Sequence, residues 1–166
     1  MATKTKDKPA ARNRTRYEDD HYTWVAEQVA LLRGGRLAEI DAENMAEELF
    51  DLGISEVRGL RSSIAVLAQH LLKWDHQPRF RSLSWVATIN EQRRQIEHAL
   101  SESPGLKPKL AKLIEEGYAT SRDRAVADTG LDYDTFPEVC PFSFEELMKR
   151  PIVLEKRSPS RGKRGA

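Results

Sequence analysis

From Tyr17 onward, apolar positions recur every three or four residues, the period of a helix with one face turned to a core. Nowhere does the chain alternate apolar and polar residues as a half-buried strand would. The first helical pattern begins at Tyr17, with Glu18, Asp19 and Asp20 in its opening turn, where the helix dipole favours acids. Tyr17, His21, Trp24, Gln28 and Leu31 share one face, which Tyr22, Val25, Val29 and Leu32 are expected to widen. Arg33 followed by Gly34-Gly35 is a helix stop.

Asp41 is a suitable cap for the next helix, whose seam reads Met45, Leu49, Leu52 and then slips in phase before Val57, Leu60, Ile64, Leu67, Leu71 and Trp74. The slip falls at Gly53, where either one long helix bends or it stops and Ser55 caps a second; the reading favours two nearly coaxial segments. Small residues Gly59, Ser63 and Ala65 would let a neighbouring helix approach closely. Pro78 ends the pattern. Ser82 or Ser84 can cap the following helix, which carries Trp85, Ile89, Ile96 and Leu100, with Gln92 inside the stripe. After the turn Ser103-Pro104-Gly105, Leu106, Leu110, Leu113, Ile114, Tyr118 and Val126 mark another helix, ending near Gly130. Residues 131–142 are irregular. Ser143 and Glu146 then form a capping box, with Phe142 and Leu147 at the staple positions, and Pro151 closes the last helix. These elements predict an all-α, single-domain bundle of five or six helices over residues 17–150, with disordered basic tails at 1–16 and 151–166. The helices at 55–75 and 84–101 would form its antiparallel centre.

Composition changes this picture little. At 166 residues with 39% hydrophobic and 32% charged residues, the chain suits one soluble domain, and no apolar run approaches the ~20 residues of a membrane span. A lone cysteine, Cys140, allows no intrachain disulfide and fits a reducing cytoplasm. The net charge of +1 hides an asymmetry. Residues 1–16 hold six Lys/Arg against one acid, and 149–166 hold seven against one. Such ends bind phosphates in some proteins and only keep others in solution. Nucleic acid is therefore expected through the tails or not at all, since the body between them is acidic.

The strings at 42–56 (AENMAEELFDLGISE), 70–94 (HLLKWDHQPRFRSLSWVATINEQRR) and 136–147 (FPEVCPFSFEEL) resemble the bacterial domain of unknown function 29 family. The resemblance covers most of residues 17–148. It implies an all-helical bundle of bacterial origin and implies no activity.

Three groups of residues carry candidate chemistry. Beside the Met45 seam, Asp41, Asn44, Glu48 and Asp51 fall on one flank of the helix. Carboxylates one turn apart could hold Mg²⁺ or Mn²⁺ if a second helix supplied matching ligands, but the sequence shows no such partner stripe. A solvated face or ion pairs with arginines explain the same pattern. The second group is His70 with Lys73, Trp74, Gln77 and Arg81. A half-buried histidine near a lysine could act as a base, though such residues are more often satisfied boundary positions. The third group is basic and aromatic: Lys73, Arg79, Arg81, Arg93 and Arg94 among Trp74, Phe80 and Trp85. It suits phosphate and base stacking, or structural cation–π pairs that pin a loop. Gln92, if buried, needs partners. No histidine or cysteine spacing marks a zinc site, Cys140 reads as packing, and no cofactor or resident metal is expected. The reading that accounts for most residues is a non-catalytic protein-interaction or accessory module. Its partner is unidentified, a homodimer is compatible with it, and segment 131–150 could serve as a contact surface. The alternative is a metal-dependent hydrolase or binder of phosphorylated small molecules built on the acidic stripe, with Lys73 or Arg81 on phosphate.

Overall fold

A computed structural model describes residues 14–154, and every described element is helical. The helices are α1 (His21–Arg33), α2 (Ala42–His76), α3 (Leu83–Glu102), α4 (Leu110–Thr129) and α5 (Phe144–Lys149), with short 3-10 turns between them. No helix among the described residues is long and apolar enough to cross a membrane. The expectation of disordered ends falls mostly on residues 1–13 and 155–166, which lie outside the described residues. Of the positions assigned to tails, Arg14 bonds Glu39 and Thr15 bonds Glu27, while Ile152 and Leu154 pack against apolar core.

The chain divides after Gly53 into two compact units. In the first, α1 starts later than its sequence pattern suggests. Residues 17–19 form a turn, and Asp20 caps the helix by accepting from Thr23 N at 3.1 Å. A side chain on the turn can satisfy an orphan amide, so the acids precede the helix instead of filling its first turn. Gly34 closes α1, and Gly35 takes the left-handed φ of 67° that a non-glycine residue resists. Trp24, Gln28 and Leu31 are buried, but Val25, Val29 and Leu32 are not, so they do not widen the core face. Leu49 and Leu52 are also exposed, which removes them from the seam where the sequence places them.

Helix α2 runs unbroken through Gly53 as 35 residues. A helical glycine costs roughly 1 kcal/mol in conformational entropy but keeps its backbone hydrogen bonds. The two-segment expectation is therefore wrong, and the phase slip records a change in which face is buried.

In the second unit, Leu60, Ile64, Leu67 and Leu71 form one continuous buried stripe along α2. At roughly 1.5–3 kcal/mol per large side chain removed from water, this stripe is a principal source of stability. Ile89 and Ile96 of α3, Leu113 and Tyr118 of α4 and Leu147 of α5 complete the core. The irregular stretch after α4 contributes too: Phe136 and Phe142 are buried in the same cluster. Gly117 lets α4 approach α2, because a Cβ there would sit 3.3 Å from Arg61 O and 3.5 Å from Ala65 N. Next to it, Ser121 Oγ lies 2.9 Å from Ala65 O and 2.8 Å from Gly117 O, and shares its one proton between them. Ala65 thus meets the expectation of close approach; Gly59 does not, since a Cβ there would touch nothing within 4 Å.

Helix ends are set by local chemistry. Ser82, and not Ser84, caps α3 by accepting from Trp85 N. Gly130 ends α4 at φ 66°. The capping box of Ser143 and Glu146 forms as its spacing predicts.

Candidate functional site

The acidic flank belongs to the first unit. There Tyr17, His21 and Trp24 pack as an aromatic cluster, with ring centroids 4.9–5.9 Å apart. Glu48 faces this cluster: its carboxylate accepts from the Tyr17 hydroxyl at 2.5 Å and lies 3.1 Å from His21 Nε2. The bond to Glu48 pushes the Tyr17 pKa up to about 12 and holds Glu48 below its ordinary value. Asp41 is also engaged. It accepts from Asn44 Nδ2 at 2.7 Å and Trp24 Nε1 at 3.2 Å, and the Asn44 bond chiefly lowers its pKa. Its own backbone N–H donates to Gln28 Oε1 at 2.8 Å, which satisfies that buried amide. Asp51 is exposed. Asn44 and Glu48 therefore contribute to the α1–α2 seam. Among the described residues, no group of three or more His, Cys, Asp or Glu side chains is placed to hold a metal ion.

The remaining candidates lie in the second unit, mostly near the C-terminal end of α2. Lys73 is buried, and its Nζ donates to Asp128 Oδ2 of α4 at 2.5 Å. Gln69 Nε2 donates to the same oxygen at 2.8 Å. The Lys73 bond is the main reason the Asp128 pKa falls below the ordinary carboxylate range. Lys73 Nζ also lies 4.9 Å from the centre of the half-buried Trp85 ring. One turn back, His70 Nδ1 is 2.9 Å from Val66 O, and burial lowers its pKa, so the ring is neutral near pH 7. Gln77 Nε2 reaches Thr129 O at 3.2 Å and ties the end of α2 to the end of α4.

Arg81 folds back on the helix it follows. Its Nε donates to Trp74 O at 2.9 Å, one of the carbonyls the helix end leaves without a partner, and its guanidinium lies 4.8 Å from the Trp74 ring centre. Of the basic-aromatic group, Lys73 with Trp85 and Arg81 with Trp74 form structural pairs, while Arg79 and Phe80 are exposed and Arg94 pairs with Glu91. Arg93 stands apart from it on α3. Its Nε and Nη2 donate to Leu147 O and Arg150 O, both at 2.8 Å, so it caps the end of α5. Burial, then the nearby Arg150 charge, lowers its pKa. Arg150 in turn pairs with Asp75. Gln92 is half-buried.

The sequence did not reveal a groove of about 640 Å³ along α4, lined by Leu110, Ile114, Tyr118, Val139, Cys140 and Phe144 among others. The Tyr118 hydroxyl donates to Pro137 O at 2.6 Å and fixes one wall. Burial raises the pKa of both Tyr118, to about 12, and Cys140. A protonated thiol is a weak nucleophile, which fits Cys140 as packing. The cluster of Phe, Pro and Val at 136–144 was the available signal, but periodicity cannot place an irregular segment.

No curated protein and no solved structure matches the chain. A family model does match residues 16–152, nearly the whole described range, and the chain belongs to that family, domain of unknown function DUF29.

Proposed function

We propose that the chain is a non-catalytic protein-interaction or accessory module, acting in a reducing bacterial cytoplasm where its lone thiol stays free. One contrast carries this reading. Apart from the exposed Asp51, the main candidate side chains are engaged within the fold, while large apolar ones stand in water. Lys73, Gln69 and Asp128 satisfy one another, and Glu48 holds Tyr17 and His21. Arg81 and Arg93 are bonded to backbone carbonyls. By contrast, Tyr22, Leu49, Phe50 and Val139 are all more than 60% exposed. Apolar area left in water, with polar groups already paired, favours association over turnover.

A thermal-shift panel with Mg²⁺, Mn²⁺ and nucleoside mono-, di- and triphosphates tests the proposal. The expected result is an unchanged midpoint in every condition. Binding at 100 times the Kd would stabilise the native state by about 2.7 kcal/mol, so a shift of several degrees with metal and nucleotide together would overturn it in favour of phosphate chemistry.

A further inference from the structure

Within the first unit, α1 and α2 are antiparallel. Tyr17 and His21, at the start of the unit, meet Glu48, while Trp24 and Gln28, further along α1, meet Asp41 at the start of α2. Steps of about 100° per residue then place the exposed apolar positions. On α1, the stripe of Tyr22, Val25, Val29 and Leu32 lies roughly 110° round from the buried Trp24, Gln28 and Leu31. On α2, Leu49 lies roughly 90° round, in the same rotational sense, from the face that meets α1. In an antiparallel pair, equal rotational sense brings the two stripes to the same side. The opposite side receives Glu27, Glu47 and Asp51. The hairpin is therefore apolar on one side and acidic on the other.

We infer that this apolar side is the contact surface for a second copy of the chain. The inference deepens the interaction-module reading and rests on it. Three arguments choose a second copy over other partners. First, a hairpin whose buried side chains, among the described residues, are Trp24, Gln28 and Leu31 has too little core to be stable by itself. Two such hairpins placed apolar side to apolar side make a four-helix bundle with two-fold symmetry. Second, the charge distribution suits a face-to-face pair: residues 14–53 hold ten Asp/Glu against four Arg, and this arrangement turns Glu27, Glu47 and Asp51 of both copies outward, so that the like charges stay apart and the apolar sides meet. Third, the area is that of a weak contact. Tyr22 is 85% exposed, Leu49 66%, Leu32 40%, and Val25 and Val29 37% each; at roughly 200 Å² for a fully exposed large side chain, the apolar side leaves about 500 Å² in water. Two copies would bury about 1,000 Å², below the standard size of a specific interface, which makes the dimer weak and concentration-dependent.

Sedimentation equilibrium of the full chain, from about 1 µM to about 200 µM, reads this directly. The wild type should pass from monomer towards twice the monomer mass over that range. Leu49→Glu and Val29→Glu should each weaken association at least about tenfold while leaving helicity by circular dichroism unchanged. Tyr22→Ser removes area without adding charge and should weaken association several-fold, which covers the case where a buried glutamate disturbs the hairpin. Val139→Ser, in the α4 groove, should leave the mass profile as it was. Three results would overturn the inference: a wild type that stays monomeric throughout, a dimer indifferent to Leu49 and Val29, or a dimer dissociated by Val139→Ser. A monomeric wild type would give the face to a different partner and leave the interaction reading standing, since that reading fails only on the metal and nucleotide panel.

Discussion

Removing the carboxylate of Asp128 should cost far more than removing the cation it holds. Asp128→Ala deprives Lys73 Nζ and Gln69 Nε2 of the oxygen they share at 2.5 and 2.8 Å. Stranding one member of a fully buried pair costs about 3–5 kcal/mol, but this pair is not fully buried. The Lys73 side chain is 10% exposed and that of Asp128 41%, so water can reach the vacated position. Trp85 also keeps part of its hold on the ammonium. Discounting for both leaves about 2 kcal/mol, or a fall of about 4–8 °C in the melting midpoint for a chain of this size. Lys73→Met leaves Asp128 able to hydrate and replaces the buried stem with an apolar one, so it should cost at most about 1 kcal/mol. The double variant should resemble Lys73→Met, giving a coupling of about 2 kcal/mol, the whole cost of Asp128→Ala alone. Urea unfolding at 25 °C, followed by far-ultraviolet circular dichroism, measures all four corners of the cycle. The reasoning is refuted if Lys73→Met proves the costlier single change, or if the coupling is under about 0.5 kcal/mol. The pH dependence has a definite sign. The folded-state pKa of Asp128 lies below its unfolded value of about 3.9, so its stabilisation is complete above that pH and is lost as pH falls towards the folded value. Asp128→Asn should lack that part of the acid loss.

Three further outcomes follow from the same geometry. His70 has a folded-state pKa lowered by burial, so its contribution is present above about pH 6.5 and is lost as pH falls through the folded value; His70→Gln should flatten the stability profile between pH 7 and 5, and an unchanged slope would refute its burial as the cause. Gly117→Val should destabilise by about 2 kcal/mol or more by pushing α4 from α2, whereas Gly59→Ala, with open space around it, should gain about 0.5–1 kcal/mol; equal effects in urea titrations would contradict the close approach. Arg93→Met should leave the carbonyls of Leu147 and Arg150 without their donor and speed limited proteolysis around residues 147–152, and protection equal to wild type would show that α5 is held by other contacts.

Much of this architecture was legible in the sequence because local chemistry wrote it. Gly34-Gly35, Pro78, Ser82, Gly130 and the Ser143–Glu146 box each mark an end through the orphan groups of a single turn. What was not legible depends on partners distant in sequence. Leu49 and Leu52 satisfy a helical period as well as Leu60 and Ile64 do, yet only the latter find a core to enter. Gly53 looked like a break because its entropic cost is local, whereas the packing that carries α2 onward is not. The site candidates divide in the same way. The Lys73–Trp85 and Arg81–Trp74 pairs follow from alternating basic and aromatic residues. Asp128, the partner that decides what Lys73 does, lies 55 positions away, where no local pattern links the two. Arg93 carried no signal that it would close a helix near residue 150.

The three tryptophans are unevenly distributed: Trp24 reports on the first unit, Trp74 and Trp85 on the second. Replacing Trp24 with phenylalanine would leave an emission signal blind to the hairpin, and the converse pair of replacements would leave one blind to everything after Gly53. Two unfolding curves recorded this way from one polypeptide would say whether the long shared helix makes the halves melt as one or lets them part.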